Sequence, residues 1–306
     1  MNALRDKAYV LAKLEWMRKN RIWPNGLRYL WTDAFGVVLL VSLHAESGQD
    51  EYLSDAEWVV AEVDRVLGRE RGIRIGEEPD RDGQYFHYLA MWLYALSVLG
   101  RYIPSYRERG IELVKQIHPA FLVPGHGVIW KMKEDLSGSY PGYGLGALDA
   151  FDGYISYRML DEKVLAGEIA DMADLMDQSA RDLVITQDMG LGMMLWLSHF
   201  YPEESWAVIQ RQRSLLVLDR MWRPQGHFCR EPRSPETKFA FTNYGISLGL
   251  QAVGAMPHRV GEINRFFEAH RSGDEYDTSA ITHVMACTSH FPGLMLRGST
   301  GSRSRG

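Results

Sequence analysis

Apolar and polar positions along the chain alternate between two kinds of segment, and almost none has the period-two pattern of a strand. The first kind carries apolar residues on one side only. "DAEWVVAEVDRVLG" (55–68) gathers Trp58, Val59, Val63, Val66 and Leu67 on one face, and "AGEIADMADLMDQSARDL" (166–183) gathers Ile169, Met172, Leu175, Met176 and Leu183. The segments 1–19, 105–118, 204–222 and 259–271 continue this pattern. Such one-sided stripes predict helices with one wet face.

The second kind is apolar nearly all round, with aromatic residues and glycine mixed in. These segments are 29–44, 84–100, 146–160, 188–200, 239–254 and 278–291. A helix without a polar face is buried on both sides. Wet and dry helices therefore alternate in about six pairs, a repeat that points to stacked hairpins. An open stack needs polar capping repeats at its ends. The last dry segment, "THVMACTSHFPGLML", is as apolar as any in the middle, so the expectation is a closed double ring with dry helices inside.

Composition changes this picture little. The chain has 306 residues, 46% hydrophobic and 24% charged, with a formal net charge of -5. That balance gives no electrostatic reason to expect nucleic acid as a partner. The tail "RGSTGSRSRG" reads as a disordered end, with one barrel domain over 1–297 and the tail over 298–306. The apolar run "AFGVVLLVSL" is too short to span a bilayer. With no secretory pattern at the start and two cysteines, Cys229 and Cys287, the default is a reduced cytoplasmic protein; a disulfide between the two stays open.

The pattern resembles the (α/α)6 toroid of the six-hairpin glycosidase-like superfamily, over roughly residues 1 to 295, through helix pairing and lining chemistry rather than a signature motif. The resemblance implies a funnel formed by the N-terminal ends of the inner helices. It also implies a chemistry drawn from glycoside hydrolases, polysaccharide lyases and sugar epimerases, with terpene cyclases on related barrels.

Polar and aromatic residues do collect at those ends. The first inner segment offers Trp31 and Asp33; the second Asp82, Gln84, Tyr85, His87, Tyr88 and Trp92; the third Tyr143, Asp149 and Asp152. The fourth offers Gln187 and Asp188, the fifth Asn243 and Tyr244, and the sixth Asp277, Thr278 and His283. Asp188 and Asp277 serve equally well as N-caps, His87 as a hydrogen-bonded core histidine, and the stripe Tyr85, Tyr88, Trp92 as packing.

The sharpest signal is the pair Asp149 and Asp152 in "GALDAFDGYISYRML". Three residues is nearly one turn, so both carboxylates share a face. A structural reading has Asp149 capping the helix and Asp152 paired with an outer-helix arginine. A working pair would instead split in pKa, one raised and one left ionised, which is the division of labour in glycosidic cleavage. Asp33 and His87 are alternative second members. The long connection "HPAFLVPGHGVIWKMKEDLSGSYPGYGLG" before this helix is expected to cover the funnel, with His126, Trp130 and Lys131 near a ligand.

No phosphate loop, dinucleotide fingerprint, CxxC pair, HExxH or GxSxG elbow is present, and neither a cofactor nor a metal is expected. The reading is an all-α (α/α)6 toroid of about twelve helices. It acts as a carbohydrate-active enzyme on a small-molecule or oligosaccharide substrate, foremost a glycoside hydrolase working by paired carboxylates. The alternatives are a cofactor-independent cyclase, isomerase or epimerase, or lyase, for which the methionine wall (Met91, Met189, Met193, Met194) matters more, and a helical binding protein without chemistry. Oligomeric state is left open.

Overall fold

The computed structural model describes residues 3–222 and 239–296. Cys229 and the tail 298–306 lie outside the described residues. Among them twelve α-helices follow one another: α1 (Ala3–Lys19), α2 (Leu30–Ser47), α3 (Glu51–Leu67), α4 (Phe86–Leu99), α5 (Ser105–Phe121), α6 (Asp149–Asp161), α7 (Ala166–Ser179), α8 (Asp188–Ser198), α9 (Ser205–Met221), α10 (Ala240–Ala252), α11 (Pro257–Ala269) and α12 (Ala280–His290). Among the described residues the strands are four two-residue pieces, β1 (Gln84–Tyr85), β2 (Leu122–Val123), β3 (Gly127–Val128) and β4 (Lys131–Met132), besides a few isolated bridges.

The even helices form the inner ring. α2 packs on α4, α4 on α6, α8 on α10, α10 on α12, and α12 returns to α2, with a thinner seam between α6 and α8. Each odd helix from α3 to α11 lies against the inner helix before it, and α1 completes the outer ring against α12. The sequence pattern explains the layers. Residues 30 to 43 of α2 are buried without a break, and every residue of α4 except His87 and Tyr88 is buried. In α3, by contrast, Ala56, Val59, Val60, Val63 and Leu67 make one buried stripe. Trp58 stands outside that stripe, exposed, with the Arg28 guanidinium 5.9 Å from its ring centre.

Close packing within the inner ring depends on glycine. A Cβ at Gly249 would stand 2.2 Å from the Gly192 carbonyl oxygen, and one at Gly192 would stand 2.4 Å from that of Gly245. The backbones of α8 and α10 thus touch where any side chain would force them apart.

The ring is sealed at the C-terminal end of its inner helices. A 3-10 turn, Gly293–Leu296, crosses that opening. Its Leu294 N–H donates to Ser42 Oγ of α2 (2.9 Å), the Tyr94 hydroxyl of α4 donates to Leu294 O (2.8 Å), and the Trp196 indole of α8 donates to Met295 O (2.8 Å). Access to the interior is left to the N-terminal ends. No described helix is long and apolar enough to cross a membrane.

Candidate active site

At the open end, the chain between α5 and α6 folds over α4. β4 pairs antiparallel with β1, Tyr85 opposite Lys131, and β2 pairs with β3. The Phe86 N–H donates to Trp130 O, and the Trp130 N–H to Gly144 O. This cover is pinned from below. Gln84 is fully buried, accepting from the Ile73 N–H and donating to Arg71 O and Glu134 O. Glu134 is held between Arg69 (2.8 Å) and Arg74 (2.7 Å), which keep its carboxyl below the usual range despite partial burial.

The pinning sets Trp130 over the first turn of α4. Its ring stacks on Tyr85 (5.6 Å between centres, 13°), and its indole N–H donates to His87 Nδ1 at 3.2 Å. Tyr85 also stacks on His87, and its hydroxyl donates to that of Tyr143 at 3.4 Å. Trp31 lies against His87 and Tyr88, and the Tyr88 hydroxyl bonds to that of Tyr29. Six of the residues singled out in the sequence therefore form one aromatic wall: Trp31, Tyr85, His87, Tyr88, Trp130 and Tyr143.

Beneath the wall, α6 presents its two aspartates. Neither structural alternative applies to them. Among the described residues Asp149 makes no capping hydrogen bond, and no arginine pairs with Asp152. Asp149 is 3% exposed, and its Oδ1 has no hydrogen-bond partner, although His87 Nδ1 stands 3.9 Å away. Its other oxygen fits against Gly146, where a Cβ would stand 1.2 Å from it. Desolvation, then the neighbouring Asp152, push the Asp149 carboxyl well above its ordinary value, and the His87 backbone N–H opposes this weakly. Burial raises Asp152 to about 8. Desolvation lowers His87, so its imidazole is neutral at physiological pH.

With Nδ1 accepting from Trp130, the proton of a neutral His87 sits on Nε2, which has no partner among the described residues. Asp152 and His87 both open on a tight cavity of about 10 Å³. Its floor and sides come from Met91, Tyr94, Ser156, Met193 and Trp196. A cavity of that size holds about one water molecule, so a larger ligand would meet Asp152 and His87 only from the open end. A wider mouth, lined by Arg28, Tyr29, Arg81, Tyr276 and the start of α12, lies beside it.

Several residues expected at the funnel are placed elsewhere. Asp33 is fully buried in a satisfied network: it accepts from the Trp23 indole (2.9 Å), the Arg28 guanidinium (3.0 Å) and the Tyr29 N–H (3.3 Å). Burial outweighs these partners and raises it to about 6. Trp92 is buried and faces the side of α3 and α5, because its position in α4 lies beyond the first turn. Lys131 is 5% exposed and turns under the cover, 3.8 Å from the Tyr140 ring centre and 3.4 Å from Asp82. His126 is exposed in the β2–β3 turn, and Gln187 is exposed before α8.

Asp188 begins α8 and is half-buried. Asn243 is buried and donates to Phe239 O. Tyr244 and His283 turn outward, to a different cavity between α10, α12 and α1. Conversely, Ser156, Tyr94 and Trp196 line the cavity without having been singled out. They lie deep in inner helices, where the sequence reads simply as core. Among the described residues no group of three His, Cys, Asp or Glu side chains is arranged to hold a metal ion.

No family model matches the chain, and no curated protein matches it in sequence. Solved structures do match in three dimensions. Cellobiose 2-epimerase from Spirochaeta thermophila aligns with a TM-score of 0.63 at 14% identity, over 88% of this chain and 86% of that one. D-mannose isomerase aligns at 0.60 and 12% identity, over 88% of each chain. A family 76 glycoside hydrolase from a bovine Bacteroides thetaiotaomicron strain aligns at 0.56 and 12%, over 88% of this chain and 69% of that one. At these identities the likeness speaks to architecture: the chain is an (α/α)6 toroid.

Proposed function

We propose that this chain is a carbohydrate-active enzyme that moves a proton at the carbon beside a sugar carbonyl, as a sugar isomerase or epimerase, without a cofactor. The observation that carries this reading is that the cavity brings together a neutral imidazole and a carboxyl poised near neutrality, and among the described residues no arginine or lysine pairs with either aspartate. Glycosidic cleavage needs one carboxylate held ionised. Enolisation needs a base of pKa near the working pH and a neutral donor on the carbonyl oxygen. The likeness to an epimerase and an isomerase of sugars supports the same choice.

In this mechanism the Asp152 carboxylate takes the proton from C2 of an open-chain aldose. The C–H electron pair becomes the C1=C2 bond of an enediol, and the carbonyl pair goes to oxygen, which takes the proton from His87 Nε2. Protonated Asp149 restores the imidazole by giving its proton to Nδ1, once the Trp130 N–H has released that nitrogen and the 3.9 Å gap has closed. Reprotonation at C1 or at the other face of C2, with the oxygen-bound proton returned through His87, gives the ketose or the epimer. The aromatic wall holds the apolar face of the sugar and excludes water.

The test is incubation with mannose, glucose and cellobiose in D2O, followed by NMR. Deuterium at C1 of a new ketose, or at C2 of a new epimer, is the expected result. A second reading, a glycoside hydrolase, is favoured by the placement of two carboxyls within one turn of α6. It predicts new reducing ends from oligosaccharides and no exchange at C2. Neither product from a broad panel overturns both.

A further inference from the structure

Outside the ring, a second cavity of about 40 Å³ lies among α1, α10, the α11–α12 connection and α12. It adjoins an open cleft that shares Tyr9, Lys13, Arg271 and His283 and adds Trp16. Polar groups converge here with few partners in the protein. The Lys13 ammonium sits 5.4 Å from the ring centres of both Tyr9 and Trp16 and pairs with no described carboxylate. The Arg271 guanidinium spends Nη1 on the carbonyls of Glu268 and His270, leaving Nη2 without a described partner.

The hydroxyls of Tyr9 and Tyr244 make no hydrogen bond to a described residue. His270 is 7% exposed, and both its ring nitrogens are buried without a partner. Two carboxylates line the same cavity. Asp277 is occupied by the Ser272 N–H (2.7 Å), the Ser272 hydroxyl (2.9 Å) and the Gly273 N–H (2.8 Å). Glu268 stands at the solvent-exposed lip.

Half-buried Lys13 and exposed Arg271 thus face one cavity, and neither forms an ion pair with a described carboxylate, although Asp277 and Glu268 line it too. We propose that this cavity is a binding site for a small ligand anchored by one oxyanion, a phosphate or a carboxylate, between Lys13 and Arg271, with Tyr9 and Tyr244 donating to its remaining oxygens. Burial holds the Lys13 ammonium below its usual range, a shift that a bound anion would reverse. The 3-10 turn Glu275–Asp277 forms one wall of this site, and Glu275 and Tyr276 from the same turn line the funnel mouth, so an occupant would steady a rim of the funnel.

The full chain should be titrated by calorimetry with inorganic phosphate and, separately, with acetate, in buffer of constant chloride. Saturable binding of one or both is expected, and which anion binds assigns the oxyanion. Lys13→Gln and Arg271→Gln should each weaken it by about tenfold or more, while Asp152→Asn, in the funnel, should leave it unchanged. If Lys13→Gln does not fold, Lys13→Arg keeps the charge and should keep the binding. No saturable heat with either anion, or equal binding by folded Lys13→Gln and Arg271→Gln, overturns the proposal. So does a loss of binding in Asp152→Asn, which would place the anion in the funnel instead.

Discussion

Asp33 and Asp152 occupy the same place in two inner helices: each is the fourth residue of its helix, one turn from the open end. Both are buried, yet their surroundings are opposite. Asp33 has an arginine, an indole and a backbone N–H around it, and burial raises it only to about 6. Asp152 has no such partners and rises to about 8. The contrast teaches that depth alone does not make a catalytic carboxyl. A satisfied network spends the charge on holding loops together, here the α1–α2 connection through Trp23 and Arg28. An unsatisfied carboxyl at a cavity keeps its proton free to move.

Breaking the contrast should first show in rate. Asp152→Asn keeps shape and polarity but ends proton transfer, and removal of a general acid or base lowers rate by about 10²–10⁴. Turnover on the sugar found active in the D2O experiment should fall by that much, with melting temperature unchanged or higher. Asp33→Ala should do the reverse. It leaves the buried Arg28 unpaired, and breaking a buried pair costs roughly 3–5 kcal/mol, read by denaturant unfolding, while the folded fraction keeps its activity. A stable Asp33→Ala with lost activity would exchange the two roles.

The pH dependence sharpens the same comparison. A carboxyl raised on folding binds its proton more tightly in the native state, so its stabilising effect is full below the unfolded value and is lost as pH climbs to the folded one. For Asp152 that window ends near pH 8. The gain in stability of Asp152→Asn over the parent chain should therefore grow as pH rises from about 4 toward about 8 and then level off. For Asp33 the window closes earlier, near pH 6. Identical pH profiles for the variant and its parent would show that Asp152 is not raised.

The smallest effect concerns the imidazole. Trp130→Phe keeps the stack on Tyr85 and removes the donor to His87 Nδ1. One neutral hydrogen bond is worth about 0.5–1.5 kcal/mol, so activity should fall by roughly twofold to tenfold, with the tautomer freed, as 15N chemical shifts of the ring would report. An unchanged His87 spectrum would remove Trp130 from the site's machinery.

Much of this was legible from sequence because periodicity reports burial directly. The unbroken apolar runs of α2 and α4 and the one-sided stripe of α3 fixed layer membership, and the closed ring followed from an apolar last segment. The aromatic wall and the α6 pair were legible too, since they combine polar types with apolar spacing at helix starts. Asp33 was read as a candidate for the same reason, and its partners Trp23 and Arg28 sit in the preceding loop, which carries no periodic signal. Tyr244 and His283 failed differently: a helix with no polar face has no mark for which buried side turns to the axis and which to the outer ring.

What the sequence by itself determined is the alternation of wet and dry helices, because apolar surface must be removed from water wherever it occurs along the chain. Tertiary structure alone decided which polar groups meet. The cover from Leu122 to Leu148 brings Trp130 to His87 across 43 positions, and the Gly293–Leu296 turn closes the far end onto α2, α4 and α8. Those pairings depend on where distant segments come to rest, and the protonation of Asp149, Asp152 and His87 depends in turn on how completely those segments exclude water and on whether any of them brings a counter-charge.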